Sequence, residues 1–170
     1  SSLEVVSANN PEYECCTFRG SLLALDKMTG KERWRTYTTD EPILQGINSA
    51  GAIIYGPSGA PIWSSPTVDT KRGLLYVGTG ENYTHPTTFT SDSIIALSLE
   101  TGVIEWINQV TVDDAWNGGC GNEDPVNCPE NHGPDYDFGA PPMLTTLASG
   151  KEIILAGQKS GMVYAMDPDN

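Results

Sequence analysis

The chain has 170 residues, 38% of them hydrophobic, with 18 Gly and 12 Pro, which suits one domain with a real core built from strands and turns rather than long helices. Twenty-two acidic against nine basic side chains give a net charge of −13, which opposes attraction to nucleic acid or to an anionic membrane surface and excludes both as partners. No apolar run approaches the length of a membrane span, and the opening residues SSLEVVSANN lack the charged-then-apolar form of a signal peptide. With no initiator Met, the chain reads as a mature or truncated piece.

In chain order, the first strong signal is an internal repeat. Ser21-LLALDKMTGKER-Trp34 matches Ser93-IIALSLETGVIE-Trp106 at an offset of 72 residues, and Gly161-MVYAMDPDN opens a third copy. Each copy predicts a strand ending in Ala-Leu or Ala-Met, then a tight turn at Asp and Thr-Gly, then a second strand carrying a Trp. Gly30 and Gly102 supply the turn, small Ala24 and Ala96 permit close sheet stacking, and Trp34 and Trp106 offer flat surfaces to a neighbouring sheet. Between the first two copies, residues 61–69 and 73–80 read as two more strands joined by Thr70-Lys71-Arg72.

Residues 61–110 therefore read as four antiparallel strands (61–69, 73–80, 92–99 and 103–110), one propeller blade. Residues 17–37 supply the last two strands of a preceding blade, and 140–147, 152–158 and 161–167 the first three of a following one. The predicted fold is all-β, a partial β-propeller of about two and a half four-stranded blades, within one domain over residues 1–170. Too few blades are present to close a ring, so the chain is expected to be part of a longer propeller. Residues 38–60, 81–91 and 111–139 are expected to be long loops, where functional surfaces are built.

Trp63 begins the first strand of that blade, and Glu81 follows the second just after Gly78-Thr79-Gly80, where glycine lets the backbone approach a ligand closely. On these residues alone, a core Trp beside a solvated acid competes with a flat ligand floor beside a metal-binding carboxylate. Of the four cysteines, Cys120 and Cys128 are expected to close a small disulfide loop. Cys15 and Cys16 read either as a vicinal bridge or as two separate thiols. Neither pair has zinc-site spacing, and disulfides favour a periplasmic or extracellular compartment. His85 and His132 have no Cys or His partner at ligand spacing, and Asp113 and Asp114 read as turn residues. Asn82-Tyr83-Thr84 matches the N-glycosylation pattern, and no Cys-x-x-Cys-His haem-attachment motif is present.

The Ala-Leu-Asp-x-x-Thr-Gly-x-x-x-Trp repeat, the tryptophan-led hairpin and the late Asp135-Tyr136-Asp137 resemble the quinoprotein alcohol dehydrogenases, which bind pyrroloquinoline quinone (PQQ) in an eight-bladed propeller. The polyvinyl alcohol dehydrogenase-like branch is most similar, in CCTFRGSLLALD, IWSSPTVDTKRGLLYVGTGENYT and GPDYDFG…AGQKSGMVYAMDPD. The resemblance implies an alcohol or polyol substrate, PQQ with Ca²⁺ or a lanthanide, and a cytochrome c or another periplasmic electron acceptor. It also assigns roles. Trp63 resembles the floor under the quinone, Ser2, Arg19 and Lys159 resemble cofactor contacts, and Cys15-Cys16 resembles the vicinal pair that caps the quinone in one branch. Glu4 and Glu81, or Asn82 beside it, resemble metal ligands; Asp135 resembles the catalytic base at the metal, and Asp137 the further acidic ligand of the lanthanide-using branch. The competing reading is a non-catalytic propeller that scaffolds assembly, which has no use for these polar groups.

Overall fold

A computed structural model describes residues 7–170. The strands, in chain order, are β1 (Ser21–Leu25), β2 (Glu32–Tyr37), β3 (Ile43–Ile47), β4 (Ile53–Gly56), β5 (Ser58–Gly59), β6 (Thr67–Asp69), β7 (Leu74–Gly78), β8 (Asn82–Thr84), β9 (Ser93–Ser98), β10 (Ile104–Gln109), β11 (Met143–Thr146), β12 (Glu152–Gly157) and β13 (Val163–Met166). One sheet has the order β10-β9-β7-β6, all antiparallel, which is a complete blade. Before it stands the pair β1-β2, and after it the sheet β11-β12-β13. No helix among the described residues is long and apolar enough to cross a membrane.

Side chains alternate across a strand, and here both faces of the blade are covered. Tyr76, Ile94 and Ala96 face β11-β12-β13 and pack with Phe138, Ile154, Ala156 and Met166. Leu75, Val77, Ile95 and Leu97 face the other way and pack with Leu22 and Trp34 of the preceding pair. Burial on both sides explains why β9 reads as a continuous apolar run, Ile94-Ile95-Ala96-Leu97, rather than an alternating one.

The repeat turns form as the sequence implies. Asp26 accepts hydrogen bonds from the backbone N–H groups of Met28 and Thr29 and from the Thr29 hydroxyl, and Gly30 and Gly102 take φ of 69° and 72°. Gly102 also lets Trp34 seat on the next blade, because a Cβ there would overlap the indole; Trp34 Nε1 donates to the Leu99 carbonyl at 3.2 Å.

Three expectations need correction. Residues 38–60 are not a loop: β3 and β4 form a hairpin there, and β5 pairs with β8, which lies inside the expected loop 81–91. Trp63 does not start a strand. Pro61 and Pro66 lack the N–H groups a ladder needs, so β6 begins only at Thr67 and Trp63 lies in the irregular segment leading to it. The glycines at and after the end of β7 serve contact within the chain: a Cβ at Gly78 would strike Phe138, and one at Gly80 would strike the Asp137 carboxylate.

Candidate functional site

A cavity of about 490 Å³ opens beside the start of the complete blade, lined by Phe18, Arg19, Ser21, Pro61, Ile62, Trp63, Glu81, Tyr83 and Asp137. Its size is in the range that holds a small ligand. Trp63 is 56% exposed although it is the largest apolar group there, and its ring rests on Gly139, where a Cβ would lie 2.6 Å from the indole Cη2. Phe18 and Tyr83 supply a second aromatic wall, with ring centroids 5.6 Å apart.

The acidic side of the cavity is built by the meeting of two segments. The 137–138 segment lies along the end of β7, where Phe138 N–H donates to the Thr79 carbonyl at 3.1 Å and Glu81 N–H donates to Asp137 Oδ1 at 3.1 Å. The carboxyl oxygens of Glu81, Asp135 and Asp137 lie within 4.8 Å of one another. Glu81 and Asp137 are 5% and 4% exposed. Lys159 Nζ pairs with Asp135 Oδ1 at 2.7 Å and Asp137 Oδ2 at 2.5 Å, and stands 5.9 Å from the Trp63 ring centroid, within cation–π range.

Burial, reinforced by a proton shared with Asp137 and by that neighbour's charge, pushes the Glu81 carboxyl up to about 10. Burial alone would raise Asp137 too, but its bonds to Glu81 and Lys159 prevail and hold it below the usual carboxylate range. Asp135 is raised, chiefly by burial, against the lowering influence of Lys159. Glu81 Oε2 is buried and has no hydrogen-bond partner among the described residues. A buried carboxyl with an orphaned oxygen, in a trio whose oxygens lie within 4.8 Å of one another, fits a hard cation that takes oxygen ligands.

The predicted residues separate clearly. Trp63, Arg19, Glu81 and Asp137 line one cavity, and Asp135 and Lys159 join it through their ion pairs. Arg19 lies at the rim: Nε and Nη2 donate to the Thr39 carbonyl, Nη1 pairs with Glu41 at 2.7 Å, and the guanidinium lies 3.8 Å from the Tyr37 ring centroid. Cys15 and Cys16 are joined side by side and buried, but they pack behind Tyr83 with Ala8 and Ile54 rather than lining the cavity. Asn82 is not placed to bind metal. Its Oδ1 accepts from the backbone N–H and the hydroxyl of Thr88, and its amide donates to the Ser58 carbonyl, so its polar atoms are engaged in fixing β8, and its burial also removes it as a glycan acceptor. Ser2 and Glu4 lie outside the described residues.

Two residues have roles that their local sequence does not show. Asp114, expected to be a turn residue, is fully buried; its Oδ1 accepts the Asp135 N–H at 3.3 Å and its Oδ2 the Tyr136 N–H at 3.1 Å. Asp113 does take the turn, with φ of 56°. His132, expected to stand apart, comes within 4.8 Å of the Cys120 and Cys128 sulfurs, but these lie 2.04 Å apart, bonded to each other, and are not free to bind metal.

Residues 5–124 match the PQQ family of glucose, ethanol and alcohol dehydrogenase β-propeller domains. The chain belongs to this family. It is 51% identical over 164 residues to a polyvinylalcohol dehydrogenase of Pseudomonas sp. and 48% identical over 166 residues to that of Sphingopyxis sp. (strain 113P3), in both cases over 96% of this chain and 25% of the relative. The chain thus spans about a quarter of the length of these curated relatives. The crystal structure of quinohemoprotein alcohol dehydrogenase from Comamonas testosteroni shares the fold, with a TM-score of 0.62 at 24% identity over 95% of this chain and 24% of that one.

Proposed function

We propose that the protein to which this chain belongs oxidises primary or secondary alcohols, including polyols such as polyvinyl alcohol, with PQQ and Ca²⁺ or a lanthanide. The observation that carries this reading is the convergence of Glu81, Asp135 and Asp137 within 4.8 Å beside a cavity floored by an exposed tryptophan. A scaffold gains nothing from burying two carboxyl groups together beside a third, since each buried one costs free energy unless something positive joins them.

In this reading Glu81, Asp135 and Asp137 hold the metal, and Trp63 provides a flat surface for the quinone ring. Arg19 and Lys159 offer positive charge to its anionic oxygens. PQQ bound with its metal supplies the two-electron acceptor. Asp135 Oδ is the base that takes the alcohol hydroxyl proton; burial keeps it basic, and its side chain, 26% exposed, stays within reach of a substrate entering the cavity. Phe18, Tyr83 and Trp63 give the cavity apolar walls beside the reacting carbon. The electrons leave to a cytochrome c or another acceptor, in the periplasm or outside the cell, a compartment that suits the paired cysteines.

The test is alcohol-dependent dye reduction by the full-length protein supplied with PQQ and Ca²⁺. Asp135→Asn is expected to lower turnover at least about 100-fold, and Trp63→Ala to weaken quinone binding. Unchanged activity in both variants would sink the assignment.

A further inference from the structure

Lys159 occupies an unusual place. Its ammonium lies 2.7 Å from Asp135 and 2.5 Å from Asp137, two of the three carboxyl groups whose oxygens converge within 4.8 Å. It therefore makes the contacts with those two acids that an incoming cation requires. Its pivot is fixed, because the Lys159 N–H donates to the Asp137 carbonyl at 3.0 Å and the following turn closes through Gly161 N–H to Gln158 O, also at 3.0 Å. Gln158 is tied in turn to Thr111 at 2.9 Å. The head of the side chain is less confined, being 42% exposed. From this same position the ammonium stands 5.9 Å from the Trp63 ring centroid, so an anion seated over that ring would lie beside it.

We propose that the Lys159 ammonium is a tethered stand-in for the metal: it holds Asp135 and Asp137 together while no metal is bound, competes with the ion for them, and is drawn aside when an anionic quinone enters over Trp63. This rests on the metal and quinone assignment above. The consequence is coupled loading. Metal binding alone must displace the ammonium, whereas metal binding with quinone present finds it already drawn away. By linkage, the factor by which quinone tightens metal binding equals the factor by which metal tightens quinone binding.

The test is calorimetric titration of Ca²⁺ into the chelator-stripped full-length protein, with and without PQQ, for the native protein, Lys159→Gln and Lys159→Arg. Circular dichroism of each variant confirms that it is folded. Without PQQ, K159Q is expected to bind Ca²⁺ at least about tenfold more tightly than the native protein, because a unit charge within ion-pair distance of the ligand oxygens has been removed. K159R is expected to stay close to the native value. PQQ is expected to tighten Ca²⁺ binding in the native protein by a larger factor than in K159Q. The proposal is overturned if folded K159Q binds Ca²⁺ no more tightly than the native protein, if K159R gains as much as K159Q, or if the PQQ effect is equal in both. Alcohol turnover by the native protein separates the two levels: if it persists when the K159Q result is negative, only the stand-in role fails. If the native protein neither turns over nor binds Ca²⁺, both fail.

Discussion

Asp114 Oδ2 accepts the backbone N–H of Tyr136 at 3.1 Å, from a carboxylate with no exposure to solvent. With its other oxygen on the Asp135 N–H, it holds the chain where Asp135 takes φ of 60°, a conformation few non-glycine residues adopt. Asp114 is thus a positioning residue for the two acids that flank Tyr136.

Asp114→Ala should therefore lower turnover about 10- to 100-fold and weaken Ca²⁺ binding, while Asp114→Asn, which can still accept one of the bonds, should lose less. A structural role alone would lower the melting temperature without separating the two variants in Ca²⁺ affinity.

Asp92 lies fully buried at φ of 47°, and neither carboxyl oxygen has a hydrogen-bond partner among the described residues. Burial first, then the charges of Asp114, Asp137 and Asp135, push it from its ordinary 3.8 up to about 9. An acid raised in the fold keeps its proton while the unfolded chain has lost its own, so it costs stability progressively as pH rises from about 4 to about 9. Asp92→Asn should flatten this alkaline decline and raise the melting temperature at pH 8 by at least about 2 °C, with little effect at pH 4. An identical pH profile in both proteins would contradict it.

Much of this arrangement was legible in the sequence. The 72-residue repeat marks the blade strands because close stacking, tight turns and a docking tryptophan recur at fixed positions, and the trio Trp63, Glu81 and Asp137 could be picked out by motif. The β3-β4 hairpin was not, since Gln45-Gly46 and the Asn48–Ala52 turn weaken its apolar pattern and much of the hairpin faces outward. The roles of Asn82 and Asp114 are hidden from the sequence for one reason. Their roles are fixed by partners far along the chain or across a turn, Ser58 and Thr88 for one and Asp135 and Tyr136 for the other, which spacing does not reveal.

Arg72 ties the complete blade to the next. It pairs with buried Asp69 at 2.9 Å, with Glu152 at 3.0 Å and with Asp169 at 2.6 Å, while Tyr76 donates to Asp69 at 3.0 Å. Burial would raise Asp69, but the bonds from Arg72 and Tyr76 prevail and hold it below the usual range. Arg72→Ala leaves that carboxylate without its counter-charge and should destabilise the protein by about 2–4 kcal/mol, measured by denaturant unfolding. A loss below about 0.5 kcal/mol would show the cluster to be an ordinary surface ion pair.

Gly139 supports the tryptophan floor. Gly139→Ala would press a methyl group toward the Trp63 ring, which lies 2.6 Å from the Cβ position, and tilt it. PQQ affinity, followed by quenching of tryptophan fluorescence, should fall about tenfold while the fold is retained; unchanged affinity would remove Trp63 from the quinone site.

In the proposed assignment, Glu81, Asp135 and Asp137 form the metal end of a quinone site floored by Trp63. Anomalous diffraction from crystals of the full-length protein loaded with PQQ and a lanthanide ion tests it most directly. A single strong peak is expected about 2.3–2.6 Å from oxygens of these three residues, with the quinone over Trp63 and the Lys159 ammonium moved off Asp137. A peak elsewhere would contradict it, and Lys159 still bridging Asp135 and Asp137 in the loaded protein would overturn its stand-in role alone.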